Sequence, residues 1–448
     1  MLFNSYAFIF LFLPPVLGIF FLLRPAYRFA FLVIASVVFY AQWHFSHTVL
    51  LLASVGVNFL LSRLLMRETL HPKAVLAAGV ALNLLPLLWF KYGYFLHLSS
   101  HSLVLPLAIS FYTFQQIAYL VDVYRKRIVS GSFREYVFFV LFFPQLIAGP
   151  IVHYRQIISQ VQKGVLEKTN RLYVHAGIVL FSIGLFKKVL LADGLFPIAD
   201  RAFDQIGTLG SADAWTGVLA YSLGIYFDFS GYTDMAIGLA LLLGIRLPMN
   251  FNSPYKAEDM VAFWRKWHMT LSHFLRDYIY IPLGGNRKGP YREVFNLMAT
   301  MTLGGIWHGA GWNFLLWGAG HGILLVLVHL KHRYLERWQL PRSAAIFFTF
   351  LAVTLLWVLF RSETMAEALV YYRHLFGLGG TFAWNSQMLW IGAGLLTVWA
   401  LPNSMQAIGY PEKIALKRRH AVLAGVLAFA ALKMMAEAPA ESFVYFNF

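Results

Sequence analysis

The chain has 448 residues, of which 59% are hydrophobic, 17% aromatic and only 12% charged, with a mean hydropathy of +0.63 and a formal net charge of +16. Ordinary soluble domains carry about 25% charged residues, so composition argues against a soluble enzyme, and the basic excess points to cytoplasmic loops beside anionic headgroups instead of to nucleic acid. There is no cysteine, which excludes a disulfide or an acyl-cysteine thioester on this chain.

Apolar runs near the length that crosses a hydrocarbon core recur from end to end, so the fold class expected is all-α: a polytopic transmembrane helical bundle of about 11–13 hydrophobic segments, some re-entrant. They lie near 6–23, 29–45, 48–65, 74–90, 103–122, 135–153, 172–191, 215–245, 294–330 (long enough for more than one crossing), 344–360, 386–401 and 420–435, and are read as one membrane domain over 1–448. The first basic residue is Arg24, after the first run. That run therefore reads as a retained span with the N-terminus outside, not a cleaved signal.

Basic residues then mark alternate loops: Arg24 and Arg28, then Arg63, Arg67 and Lys73, then Arg125, Lys126, Arg127 and Arg134. By the positive-inside rule these loops are cytoplasmic. The alternation breaks at 135–153, which is followed by another basic loop carrying Arg155, Lys163, Lys168 and Arg171. Phe143-Pro144-Gln145 and Gly149-Pro150 interrupt that segment, so it is expected to be re-entrant. The next loop, with Asp193, Asp200, Asp204 and Asp213, reads as periplasmic, and the basic stretch 246–293 as cytoplasmic.

Within that stretch Phe263, Trp267, Leu271, Phe274 and Tyr278 recur at steps of three and four. The pattern predicts one amphipathic helix lying in the interface with its rings at headgroup depth. Leu283-Gly284-Gly285-Asn286-Arg287-Lys288-Gly289 follows as a basic, glycine-rich loop. Its cations and backbone N–H groups suit the phosphates of a nucleotide-bearing donor, or simply lipid headgroups.

The residues able to do chemistry stand out against the apolar background. Residues 294–330 contain no Asp, Glu, Lys or Arg, yet hold His308 in Gly305-Ile306-Trp307-His308-Gly309-Ala310-Gly311-Trp312-Asn313-Phe314. An imidazole at bilayer depth is costly unless it is hydrogen-bonded, and is a candidate base. The other reading is a histidine bonded between helices. His268, in Trp264-Arg265-Lys266-Trp267-His268-Met269, is either a second member of the site or an interfacial histidine, and His321 falls on a roughly opposite face from His308 if one helix runs through both. Asp228 and Asp234 lie in an apolar run free of Lys and Arg, where each must face protein or water; they can orient a histidine or pair with an arginine such as Arg246. The C-terminus ends Ser442-Phe443-Val444-Tyr445-Phe446-Asn447-Phe448, an aromatic anchor by composition, on the periplasmic side because Lys413, Lys417, Arg418 and Arg419 precede the last span.

Five separated motifs give the chain a resemblance. They are Pro106-Leu107-Ala108-Ile109-Ser110-Phe111-Tyr112-Thr113-Phe114-Gln115-Gln116, Phe143-Pro144-Gln145-Leu146-Ile147-Ala148-Gly149-Pro150, Asp228-Phe229-Ser230-Gly231-Tyr232-Thr233-Asp234-Met235, Phe263-Trp264-Arg265-Lys266-Trp267-His268-Met269-Thr270-Leu271-Ser272, and Trp307-His308-Gly309-Ala310-Gly311-Trp312. In this order, and from Met1 to Phe448, the sequence resembles the membrane-bound O-acyltransferase family. It looks most like the bacterial branch that contains the alginate O-acetyltransferase membrane subunit, with peptidoglycan O-acetylation and D-alanyl-lipoteichoic acid proteins as relatives. The resemblance implies an acyl relay through a membrane tunnel, with acetyl-CoA as donor and no bound cofactor or metal. It also implies a periplasmic acetyltransferase partner, polysaccharide secretion machinery, and an inner-membrane location with both termini periplasmic. It places the family's tunnel histidine on His308 and its second histidine on His268. A C-terminal tyrosine proposed as acyl carrier in some relatives matches Tyr445. Asp228, Asp234, Trp307, Trp312 and Asn313 would line or support the tunnel, and Arg265, Asn286 and Arg287 would meet the donor. A proton-coupled transporter or flippase and a synthase scaffold are the competing classes.

Overall fold

The computed structural model describes residues 1–67, 70–99, 104–335, 337, 339–377, 386–437 and 443. Among these residues all regular structure is helical, as composition requires of a chain that must satisfy its backbone polar groups internally in lipid. Phe45–Met66, Pro72–Tyr92, Arg171–Asp204, Trp312–Tyr334, Arg342–Arg361 and Arg418–Glu437 are each long and apolar enough to cross a membrane, and Ala7–Leu22, Pro25–Ala41 and Gln387–Ala400 are shorter apolar helices. The chain is a multi-pass membrane protein.

It divides into two compact units. The first is built from Met1–Leu185, Tyr232–Pro248 and the segment that begins at Pro411. Phe8, Phe12, Phe39 and Phe143 form its aromatic centre, with Phe12 edge-on to Phe143 at 5.6 Å. Buried polar groups are paired across helices: Asn83 Nδ2 donates to Asn58 Oδ1 at 2.6 Å, and Arg28 Nη1 donates to the Leu166 carbonyl at 3.0 Å. The expected segment 135–153 is indeed interrupted. Ser132 and Glu135 form a capping box that starts the helix Phe133–Leu141, Phe142 leaves helical geometry, and a single turn, Phe143–Leu146, follows where Pro144 removes a donor.

The second unit comprises Phe186–Gly231 and Met249–Tyr410. Two expectations change here. The acidic stretch read as a loop is helix: Lys187–Ala192 is a π-helical turn leading directly into Asp193–Asp204. The helical periodicity of 263–278 is also cut. Met260–Trp264 stops, His268 adopts the left-handed region at φ 40°, and Met269–Leu275 begins anew. Phe263, Trp267, Leu271 and Phe274 are all buried, so these side chains pack against protein instead of facing headgroups. Periodicity reports which side chains share an environment. It cannot distinguish lipid from protein as that environment.

Candidate active site

Two helices that meet at glycine hold the central histidine. Pro290–His308 begins at a proline whose missing N–H costs nothing at the first turn, and it ends where Gly309 becomes extended; Trp312–Tyr334 starts after Gly311, also extended. The uncharged run 294–330 is thus two helices joined at His308. They pack closely: a Cβ on Gly305 would lie 2.8 Å from the Gly318 Cα and would collide with the Phe314 carbonyl, and one on Gly309 would enter the Phe314 ring. Only glycine permits that approach.

His308 is 4% exposed. Its ring lies 4.7 Å from Trp307, 5.0 Å from Trp317 and 5.2 Å from Phe360, edge-on to each. Asn313 Nδ2 donates to the carbonyls of Leu359 at 3.2 Å and Ser362 at 2.6 Å, which fastens the start of Trp312–Tyr334 to the end of Arg342–Arg361 and delivers Phe360 to the histidine. Trp317 stacks on Trp357 at 5.8 Å. His321, one turn beyond Trp317, lies 4.6 Å from it. The break at Gly309 removes the opposite-face expectation for His321: Trp317 borders both imidazoles.

His268 is fully buried, at the turn between two short helices. Its Nδ1 is 3.1 Å from Asn250 Oδ1, an oxygen that also accepts from the Thr270 N–H and hydroxyl. The contact assigns the proton to Nδ1 and leaves Nε2 as a lone pair with no hydrogen-bond partner among the described residues. Phe229 packs edge-on to the ring at 4.7 Å. Burial pushes the imidazole down to about 3, so at physiological pH it is an uncharged acceptor.

Asp228 is fully buried, and its partner is a lysine, not the arginine expected: Lys188 Nζ stands 2.9 Å from Asp228 and 2.6 Å from Asp193. Lys188 was legible as a cation inside the apolar run 172–191. What hid the pair was the 39 residues that separate them in sequence. Arg246 instead donates to the Pro411 carbonyl. Asp234 is buried in the first unit. There Tyr232 stacks on Phe443 at 5.0 Å, so at Phe443, which is 1% exposed, the tail packs into protein. Tyr445 lies outside the described residues. Trp307 joins the buried cluster, whereas Trp312 is 65% exposed. Arg265, Asn286 and Arg287 are all exposed, the last two on a loop that Asn296 pins by donating to the Gly285 carbonyl at 2.8 Å.

The model of the membrane-bound O-acyltransferase family matches residues 126–359, a stretch that contains His268, Asn250, His308 and Trp317. The chain belongs to the membrane-bound O-acyltransferase family. It is an acyltransferase. It is 41% identical over 427 residues to the peptidoglycan O-acetyltransferase of Helicobacter pylori, covering 85% of this chain and 80% of that one. Against the probable alginate O-acetylase of Azotobacter vinelandii it is 39% identical over 401 residues, covering 85% and 79%. The teichoic acid D-alanyltransferase of Bacillus subtilis is more distant, 28% identical over 293 residues, with 61% and 71% covered.

Proposed function

We propose that this acyltransferase takes an acetyl group from a cytoplasmic thioester, acetyl-CoA, and passes it across the inner membrane for O-acetylation of an exported polysaccharide, with alginate the first acceptor to test. The observation that carries the proposal is His308: an imidazole 4% exposed, at a glycine-lined helix end, in a chain with no cysteine. A covalent relay on this chain cannot use a thiol, and an oxygen nucleophile is the carrier proposed.

In the proposed step an acceptor hydroxyl attacks the thioester carbonyl while His308 takes its proton. The tetrahedral intermediate collapses, the C–S bond breaks, and the leaving thiolate receives that proton from His308. The products are an O-acetyl ester and a free thiol. His268, held neutral, would offer Nε2 as an acceptor on the donor side, and the exposed Arg265, Asn286 and Arg287 would meet the donor's phosphates. Tyr445 is the proposed exit-side acyl carrier, and a periplasmic acetyltransferase would complete delivery to the polymer alongside the secretion machinery. The two termini are assigned to the periplasm by the basic loops.

His308→Ala is expected to abolish incorporation of labelled acetyl into polymer while the protein still accumulates in the membrane. Acetylation at the wild-type level would overturn the assignment of His308 as the base. The relatives named for alginate and for peptidoglycan are nearly equal in identity. Analysing the uronate polymer and the peptidoglycan fraction of the same cells separately decides the acceptor, and Tyr445→Phe tests the carrier.

A further inference from the structure

His321 is fully buried, and neither of its ring nitrogens has a hydrogen-bond partner among the described residues. Its surroundings are aromatic: Trp317 at 4.6 Å, Trp264 edge-on at 5.0 Å and Phe263 parallel at 6.2 Å. The indole Nε1 groups of Trp264 and Trp317 are likewise buried without a partner, and the two indoles lie 6.1 Å apart. A neutral imidazole must carry one N–H donor and one lone pair, so this cluster presents three unmet donors and one unmet acceptor in one place. Buried polar groups in proteins are otherwise almost always paired with protein or with ordered water. A cluster of unpaired donors and an acceptor at one buried position meets the condition under which an internal water is retained, because each water can serve two to four of them.

We propose that His321 is the centre of a buried water site shared with the indole N–H groups of Trp264 and Trp317, and that this water serves His308. Trp317 borders both imidazoles, 4.6 Å from His321 and 5.0 Å from His308. During acyl transfer His308 must hold, as an imidazolium, the proton it takes from the hydroxyl until the leaving group receives it. The rings of Trp307, Trp317 and Phe360 border it, and mobile dipoles nearby would add to their attraction for that charge. Water at His321 supplies mobile dipoles one indole away, without an ion of its own. His321 is thus a positioning residue that acts through water, and its catalytic part rests on the proposed role of His308.

The test is hydroxyl-radical footprinting of the intact protein in detergent, with radicals generated from water by a synchrotron X-ray pulse, because only side chains touching water are oxidised. Trp317 is 1% exposed and Trp264 8% exposed, so dry packing leaves both nearly unlabelled, whereas the site fills them with oxygen label. His321→Phe, which keeps the ring and removes both nitrogens, should lower that label at least fivefold and lower kcat for acetyl transfer at least tenfold with KM changed less than threefold. His321→Gln, which still bonds water, should retain the label and at least a third of kcat. Unlabelled tryptophans in the wild type overturn the water site, whatever the activities. Labelled tryptophans with full activity in His321→Phe overturn its service to His308. Labelled tryptophans with wild-type acetylation in His308→Ala would instead leave the water site standing and remove the assigned role of His308.

Discussion

Gly305→Ala is the sharpest probe of the proposed site, because it adds one methyl group at the contact between the two helices that carry His308 and Trp317. The new Cβ would lie 2.8 Å from the Gly318 Cα and 2.9 Å from its nitrogen, and closer still to the Phe314 carbonyl. Carbon atoms settle at about 3.5–4.0 Å, and every clashing atom is backbone, so Trp312–Tyr334 must retreat by about 1 Å. Overpacking of this kind costs about 1–3 kcal/mol. Because Gly305 is one turn from His308 and Gly318 adjoins Trp317, the same retreat displaces the imidazole from its aromatic neighbours, and misplacements of about 1 Å at reacting groups can cost about 100-fold in rate. The neighbouring Gly304→Ala is the control: its Cβ meets only the Leu275 Cδ1, at 3.3 Å, a side-chain end that can rotate away. Thermal unfolding in detergent and acetyl transfer should both suffer in Gly305→Ala and barely change in Gly304→Ala. Equal behaviour of the two variants would refute the reasoning.

Lys188→Met is expected to destabilise the protein by about 3–5 kcal/mol, since it strands Asp228 fully buried beside Asp193; adding Asp228→Asn should recover at least half of the loss, and a melting point unchanged in the single variant would remove the ion cluster from the account. His268 sets an acid limb on stability. Its imidazole sits near 3 when folded against 6.5 when unfolded, so above about pH 6.5 both states are neutral there and stability is flat. Below that the unfolded chain gains a proton that the folded one refuses, and stability falls by ~1.4 kcal/mol per pH unit, about 2 kcal/mol by pH 5. Denaturant titrations at pH 7 and pH 5 should show this loss in the wild type and not in His268→Asn, and parallel losses in both would exclude His268 as its source.

The element positions were largely legible because lipid leaves the backbone one local solution, the helix, and hydrophobic length alone marks it. Breaks were legible where their cause is local: Pro144 inside 135–153, and the glycines around His308. The turn at His268 was not, because Phe263, Trp267, Leu271 and Phe274 keep helical spacing across a left-handed residue that only packing against Asn250 and Phe229 sustains. Candidate chemistry was visible as histidines in uncharged surroundings, whereas the charge partner of Asp228 was not, since pairing between Lys188 and Asp228 depends on two helices meeting in space.

By itself, the sequence determined that this protein spans a membrane, that its covalent chemistry has no thiol, and that His308 is a costly group in the uncharged run 294–330. These follow from composition and from local energetics, which need no fold. Tertiary structure alone decided that Gly305 and Gly318 bring the halves of that run together, and that one indole, Trp317, borders His308 and His321. The reason is physical: side-chain neighbours across a helix break are set by how closely two backbones can approach, and that distance is fixed by residues on both helices at once.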